Sequence, residues 1–396
     1  MCGIAGIVDS LPQENMTRLL QVMLNRQISR GPDEMGSHVE PGLAMGMRRL
    51  SVIDLAHGQQ PARSMQGRIL AFQNGEIYNH ADLRRSLSGA DHEFRSHCDT
   101  EVLAHGYAHW GMGGLLQRLD GMFAIAILDQ RERMLHLARD PFGEKPLFYA
   151  SANGRFAWSS NLLALATLSW VDSSTDLQAQ DDYLALHYVP GPGTIFRGVR
   201  RLLPGHRMTV SLDDVQPKIE RYFSQSLEQR PSVADAELES VLRHAVESRL
   251  AADVPVGILL SVGLDSSLVA AFAAASHSGI RTFSMGFDTN AHDESAYARL
   301  VAHHVGSNHH EFRFSSDAFG ELVPKVASAL DEPLGDQAAL PLYWLSQEAR
   351  QHVKVVLSGE GADELFAGYS YYRSFAPANL RQRMVARLKG SAHAPG

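Results

Sequence analysis

Three stretches of this chain carry residue types that could do chemistry. The first is Met1-Cys2-Gly3-Ile4-Ala5-Gly6. A cysteine near a chain end is by itself an ordinary small residue. Removal of Met1, however, would leave Cys2 with a free α-amine beside its thiol, and such an amine titrates near ~8 and can act as the thiol's own base. Gly3, Ala5 and Gly6 leave room for a ligand to approach the backbone. The second stretch is Ser261-Val262-Gly263-Leu264-Asp265-Ser266-Ser267, set between an apolar run and a helical run. It puts hydroxyls, a glycine and free N–H groups at a helix N-terminus, where a Ser/Asp-rich cap and a pyrophosphate site are both at home. The third, Leu357-Ser358-Gly359-Glu360-Gly361-Ala362-Asp363-Glu364, brings acids and glycines to the end of another apolar run. No Gly-x-x-x-x-Gly-Lys-Ser/Thr occurs, which excludes a Walker-type phosphate loop.

The elements that must position these groups fall into two halves. Short β-type runs at Ile4–Val8, Leu43–Met47, Ile69–Gln73, Phe123–Leu128 and Leu135–Ala138 are separated by Gly, Pro, Asn and Asp, with helices predicted at Met16–Ile28 and Asp99–Trp110. Strands with few helices and no strict βαβ alternation predict an α+β layered domain over residues 2–190. Residues 191–232, punctuated by Pro190-Gly191-Pro192-Gly193 and Pro204-Gly205, read as a connector. From residue 233 to 396 helices and strands alternate: Ala234–Leu250, the strand Val256–Leu260, Leu268–Ala275, the strand Arg281–Phe287, Ser295–Val305, Leu342–Gln351 and the strand Val353–Leu357. That order predicts an α/β domain with a parallel sheet, whose strand ends form a crevice for a nucleotide.

Composition narrows the class further. Hydrophobic residues make up 44% and charged residues 20%, which excludes disorder or a coiled coil as the overall state. The 36 Lys and Arg against 44 Asp and Glu give a net charge of −8, against non-specific nucleic-acid binding. No apolar run approaches the ~18–20 residues that span a bilayer. With two cysteines and no basic leader at the N-terminus, the expected setting is a reducing cytoplasm.

Met1-Cys2-Gly3-Ile4-Ala5-Gly6, Arg30-Gly31-Pro32-Asp33, Arg49-Leu50-Ser51-Val52-Ile53-Asp54, Asn74-Gly75-Glu76-Ile77-Tyr78-Asn79 and Asp99-Thr100-Glu101-Val102 occur in that order. Together they resemble the glutaminase domain of class II glutamine amidotransferases, the N-terminal-nucleophile group. The resemblance implies a Cys2 thiolate that attacks the side-chain amide of glutamine. It implies an oxyanion hole made by the Asn74 side chain and the Gly75 N–H, donors worth ~3 kcal/mol each in comparable enzymes. Arg49 and the segment Leu50, Ser51, Val52 and Ile53 would hold the glutamine carboxylate, which a planar bidentate cation suits. Glu76 and Asp99 would take its α-ammonium, although Asp99 reads equally as a helix N-cap. Ser29 and Met47 stand where the family usually has His.

The second half resembles the synthetase domain of asparagine synthetases, an ATP-pyrophosphatase (adenine nucleotide alpha hydrolase-like) fold, through the two loops above, Phe283-Ser284-Met285-Gly286-Phe287 and Asp331-Glu332-Pro333. The resemblance implies ATP contacts at Leu260, Ser261, Gly263, Asp265, Ser266, Ser267, Met285, Ser358 and Gly359. It implies Mg²⁺ on Asp265 and Asp363, and a role for Glu360 in forming the acyl-adenylate and aminating it. Val262 replaces the loop's first glycine, where a β-branched side chain opposes positive φ and close approach of phosphate. The resemblance covers residues 1–375, so the synthetase domain is expected to lack its usual C-terminal helical part and the lysine that part supplies.

The leading expectation is a glutamine-hydrolysing amidotransferase of asparagine synthetase type, with glutamine, ATP and aspartate as substrates, no nucleic-acid or membrane partner, and a homodimer implied by resemblance. Val39-Glu40-Pro41-Gly42 also resembles synthetase-like amidotransferases of exopolysaccharide systems, whose acceptor would be a sugar acid. A third reading is a glutaminase whose synthetase half is a non-catalytic scaffold.

Overall fold

The computed structural model describes residues 1–89, 92–225, 234–261, 263–287, 295–315 and 319–374. Its first part runs β1 (Gly3–Val8), α1 (Gln13–Asn25), β2 (Glu34–Glu40), β3 (Leu43–Arg49), β4 (Ala62–Arg63), β5 (Ile69–Ile77), α2 (His80–Ser88) and α3 (Glu101–Leu116). It continues through β6 (Gly121–Asp129), β7 (Met134–Arg139), β8 (Phe148–Ala152), β9 (Arg155–Ser159), α4 (Leu162–Leu165), α5 (Leu177–Leu186), β10 (Arg200–Arg201), β11 (His206–Ser211) and β12 (Lys218–Arg221). These strands make two six-stranded antiparallel sheets, ordered β10-β8-β9-β1-β3-β2 and β12-β11-β7-β6-β5-β4.

Strand periodicity explains how the layers stack. Along β5, Leu70 and Phe72 enter the core between the two sheets, while Ile69 and Ala71 face α3. Along β6, Ala124, Ala126 and Leu128 take the first face and Phe123, Ile125 and Ile127 the second. In the other sheet Ile4 and Val8 point inward, and Ala5 and Ile7 pack on Met16, Leu20 and Met23 of α1. Both faces of the central strands are therefore buried, which is why they read as continuous apolar runs rather than alternating ones. Each fully buried Leu, Ile or Phe contributes ~1.5–3 kcal/mol. Met47, at a usual His position, is one of these core side chains.

The same parity places the chemistry. Cys2 precedes Ile4 on the inter-sheet face of β1, Asn74 follows Phe72 on that face of β5, and Ser160 follows Trp158 on that of β9. All three meet where the two sheets open at one end.

The expected connector over 191–232 is corrected by the structure. Its described part supplies β10, β11 and β12, and β11 and β12 extend the second sheet. Met208 and Val210 alternate into the inter-sheet core. The short strands and the Pro204-Gly205 turn dilute that signal in the sequence. Residues 226–232 of the proposed connector lie outside the described residues.

The second part contains α6 (Asp235–Ser248), β13 (Val256–Leu259), α7 (Leu264–Ser276), β14 (Arg281–Phe287), α8 (Ser295–Val305), β15 (Asn308–Phe314), α9 (Phe319–Ala329), α10 (Ala339–Ala349), β16 (Val355–Leu357) and α11 (Ala362–Phe366). The four strands are parallel, in the order β15-β14-β13-β16. Residues of α6, α7 and α8 pack with Ile258 and Leu260, while Ala349 of α10 and Val353 pack on Phe283. From β13 the chain adds β14 and β15 on one side and β16 on the other. The order reverses between β13 and β16, and the C-terminal ends of those two strands form the crevice. β15 is the element the sequence hid: Asn308-His309-His310-Glu311 lacks an apolar run because it is an edge strand. Among the described residues, no helix is long and apolar enough to cross a membrane.

Candidate active site

Met1, Cys2, Leu50, Val52, Asn74, Gly75, Glu76, Met122 and Lys145 line one small pocket. The Leu50 N–H donates to the Cys2 sulfur at 3.4 Å, and the thiol faces the Leu50 carbonyl at 3.7 Å. Arg30 fixes the backbone behind the nucleophile, its Nε donating to the Cys2 carbonyl at 3.1 Å. Gly31 is the residue that lets this segment lie flat on β3, since a Cβ there would sit 2.2 Å from the Arg48 carbonyl oxygen. Arg30-Gly31-Pro32-Asp33 is thus a buttress under Cys2, and Asp33 at its end accepts from the Ser51 N–H at 2.8 Å.

Gly75 has φ +150°, and a Cβ there would meet the Met122 carbonyl at 2.0 Å, so close approach of β6 requires glycine. Asn74 is wholly buried. Its Nδ2 donates to Ser160 Oγ at 3.2 Å, and its Oδ1 has no partner. Turning the amide over lets Oδ1 accept the Ser160 hydroxyl proton and points the NH₂ into the pocket, satisfying the orphan oxygen. Either way Ser160, which also accepts from the Ile4 N–H at 3.2 Å, orients Asn74.

Arg49 is buried and organises the next segment. Nη1 donates to Glu34 at 2.9 Å, and Nη2 to the carbonyls of Ile53 at 2.8 Å and Asp54 at 2.9 Å. Three of its five N–H donors are thereby spent on the protein. The Val52 and Ile53 N–H groups take no acceptor among the described residues. Asp99 is not a helix cap: Oδ2 accepts from the Ile77 N–H and from Gln73 Nε2, both at 2.8 Å. Burial, and then the Asp99 carboxylate, push Glu76 well above the usual carboxylate range. Burial also pushes the Cys2 thiol up and holds Lys145 below the ordinary lysine range. The Met1 amine falls to about 6, through burial first and then the Arg30 and Lys145 charges. Lys145 Nζ lies 3.4 Å from Met1 Sδ.

Sequence reasoning missed Lys145 and Ser160. Lys145 ends a turn in which Asp140 accepts from the N–H groups of Phe142, Glu144 and Lys145 at 3.0 Å each. A lone buried lysine before the apolar Pro146-Leu147-Phe148 was the available signal. Ser160 carries none beyond its parity with Trp158.

At the sheet edge of the second part, Leu260 is buried and its N–H bonds the Phe283 carbonyl at 2.8 Å. Ser261 Oγ lies 2.8 Å from Ser266 Oγ, and Ser267 Oγ donates to the Gly263 carbonyl at 2.8 Å. Gly263 caps α7 without a side-chain bond, so among the described residues no side chain caps the first-turn N–H groups. Val262 lies outside the described residues. The second loop abuts the first: a Cβ on Gly359 would be 2.8 Å from Ser266 N and 2.9 Å from Asp265 Cβ. Leu357 pairs with Ile258, which brings Ser358, Gly359 and Glu360 beside Ser261. Met285 is on β14, the other neighbour of β13. Asp265 opens α7 and Asp363 opens α11. No cluster of three metal-ligating side chains occurs among the described residues. Asp265 and Asp363, in the first turns of the helices that follow the two loops, are oxygen donors of the kind that fits Mg²⁺, which takes one or two carboxylates and completes its shell with phosphate and water oxygens. Asp331 and Glu332 lie elsewhere, bonded to Asn161 and Arg201 of the first part.

A family model described as a glutamine amidotransferase domain matches residues 1–223, and one described as asparagine synthase matches residues 237–394. A Mycobacterium tuberculosis (strain H37Rv) protein, provisionally named a glutamine-hydrolysing asparagine synthetase, is 40% identical over 390 residues, 92% of this chain and 59% of the relative. Glutamine-hydrolysing asparagine synthetase 1 of Bacillus subtilis (strain 168) is 34% identical over 401 residues, 98% of this chain and 62% of the relative. A Methanocaldococcus jannaschii protein, provisionally named a second enzyme of that kind, is 31% identical over 397 residues, 93% of this chain and 76% of the relative. The chain spans about three fifths of the length of the first two.

Proposed function

The chain belongs to the glutamine-hydrolysing asparagine synthetase family, and we propose that it moves the amide nitrogen of glutamine onto an ATP-activated carboxylate. The observation that carries this reading is the convergence of Cys2, Asn74, Gly75 and Glu76 on one pocket. With Met1 removed, the Cys2 amine takes the thiol proton and the sulfur attacks the glutamine carboxamide. The Asn74 amide and the Gly75 N–H receive the oxyanion. Ammonia leaves with the proton returned by the amine, and water releases glutamate from the thioester. Glu76 and Asp99 hold the α-ammonium; Arg49 and the Leu50–Ile53 segment hold the α-carboxylate.

In the second domain the first turn of α7 and the Ser358-Gly359 loop cradle ATP, with Leu260 and Met285 beside it. A Mg²⁺ ion on Asp265 and Asp363 would neutralise phosphate charge. The acceptor carboxylate, aspartate in this proposal, displaces pyrophosphate; ammonia then displaces AMP, with Glu360 assisting both steps. A homodimer and a cytoplasmic setting belong to the same proposal.

Incubation with glutamine, ATP, Mg²⁺ and aspartate is expected to give glutamate, asparagine, AMP and pyrophosphate. AMP without asparagine would point to another acceptor, such as a sugar acid. Glutamate without AMP would point to a scaffold role for the second domain. Absence of glutamate would overturn the proposal.

A further inference from the structure

The segment Ser51–Asp54, which borders the Cys2 pocket, is held from two sides. Arg49 of the same domain takes the Ile53 and Asp54 carbonyls. Three further backbone groups are met from the ATP-binding domain. Asp253 Oδ2 accepts from the Asp54 N–H at 2.7 Å, and the Asp253 N–H donates to the Val52 carbonyl at 3.0 Å. Lys354 Nζ donates to the Ser51 carbonyl at 3.2 Å and to Asp33 Oδ2 at 2.7 Å, the oxygen that also accepts from the Ser51 N–H. Burial opposes the Asp33 charge, yet the Lys354 ammonium and the Ser51 N–H keep its carboxyl below the usual range.

Asp253 and Lys354 are themselves neighbours. They precede β13 and β16, which pair with Val256 opposite Val355, and the Lys354 N–H bonds the Pro255 carbonyl at 3.2 Å. The grip thus sits at the N-terminal edge of the same two strands whose C-terminal ends carry Ser261 and Ser358. The distance between these edges is about four residues, on the order of 13 Å.

We propose that Lys354 and Asp253 are positioning residues for glutamine: the ATP-binding domain, and not the glutaminase domain alone, sets the segment that receives the substrate's carboxylate. This rests on the glutamine reading given above. The Lys354–Asp33 pair is about one-third exposed, so its contribution lies in geometry more than in stability.

The test uses the full chain with Lys354→Ala, Lys354→Arg, Asp253→Ala and Asp253→Asn, and two thiol reagents. Iodoacetamide labelling, followed at the Cys2 peptide because Cys98 is a second free thiol, reads that sulfur without the amino-acid head. The diazoketone analogue of glutamine, 6-diazo-5-oxo-L-norleucine, must dock its amino-acid head before the sulfur displaces dinitrogen and forms a thioether, the thiol proton passing to the diazo carbon. Loss of one charge-assisted bond is expected to cut analogue labelling at low concentration, and to raise the KM for glutamine, by roughly five- to thirty-fold for Lys354→Ala and Asp253→Ala. The maximal rates should fall far less. Lys354→Arg and Asp253→Asn, which keep a donor and an acceptor in place, should recover most of the loss. Unchanged analogue labelling in the alanine variants would overturn the proposal, as would an equal fall with both reagents, which would mark general distortion. Failure of the wild-type chain to react faster with the analogue than with a non-amino-acid diazoketone would instead sink the glutamine reading itself.

Discussion

Replacing Ser160 with alanine is expected to damage glutamine hydrolysis although Ser160 is assigned no contact with the substrate. Its hydroxyl is fully buried and serves two donors, the Ile4 N–H and the Asn74 amide, each at 3.2 Å. Alanine strands one or both of them in a dry site, at ~1–3 kcal/mol per buried donor, so a loss of about 2–4 kcal/mol follows. For a domain of this size each kcal/mol moves the midpoint by ~2–4 °C, giving a fall of roughly 4–16 °C by calorimetry. The kinetic consequence is separate. Removing an oxyanion donor outright costs ~10²–10³ in kcat. Releasing that donor from its orienting partner should cost a fraction of this, about 10- to 50-fold in kcat/KM for glutamate release. The decisive assay is a double-mutant cycle at a temperature where all variants are folded. With Asn74→Ala already present, Ser160→Ala should change kcat/KM by less than about twofold, because its effect passes through a side chain no longer there. Full activity in Ser160→Ala, or additive losses in the double variant, would refute the reasoning.

Cys2→Ala is expected to abolish glutamate release while any ammonia-dependent amidation persists; hydrolysis at the wild-type rate would remove Cys2 from its role. Val262→Gly, which restores the backbone freedom of a phosphate loop, should tighten ATP binding by calorimetry, and an unchanged affinity would count against the loop as the phosphate site. Acid should destabilise the first domain through Glu101. Burial opposes its charge, but His105, Ser96 and the Arg95 N–H bring its carboxyl down to about 2, from 4.5 in the unfolded chain. A depressed carboxylate stabilises the fold above pH 4.5, and that stability is lost as the pH falls from 4.5 towards 2. Glu101→Gln should flatten the unfolding free energy across that window in urea titrations.

The fold was legible where burial leaves a local trace. Central strands such as β1, β5 and β6 are apolar on both faces, and the sequence runs at Ile4–Val8, Ile69–Gln73 and Phe123–Leu128 lie inside them. Three edge strands were not legible, β2, β12 and β15, which carry charged and histidine side chains where they meet solvent; β16, also at an edge, was legible through the apolar residues of Val353–Leu357. The site divides in the same way. Cys2, Asn74, Gly75 and Glu76 stand in contiguous motifs that carry the resemblance to class II glutamine amidotransferases. The side chains of Ser160, Lys145, Asp253 and Lys354 meet partners distant in the chain, as with Lys354 and Asp33 at a separation of 321 residues. No local pattern encodes such a meeting; it exists only once both domains are folded and docked.

The charges around Cys2 show why an amino acid suits this pocket better than a neutral amide would. Glu76 is pushed towards its protonated form, while Lys145 is pushed towards its neutral form. Every one of these shifts is led by burial, and each points towards discharge. Opposing charges within the pocket evidently do not offset the loss of water. A ligand carrying both an ammonium and a carboxylate reverses that imbalance, because its ammonium can meet Glu76 and Asp99 while its carboxylate meets the cationic and N–H side. On the proposed glutamine reading, the bound zwitterion opposes both shifts, and proton uptake or release on binding, read by calorimetry in buffers of different ionisation enthalpy, is the expected consequence. Simple amides lack both charges and oppose neither shift. On the proposed reading, preference for the amino-acid head follows from the same burial that raises the thiol, and one desolvated cavity accounts for both the choice of substrate and the use of a neighbouring base.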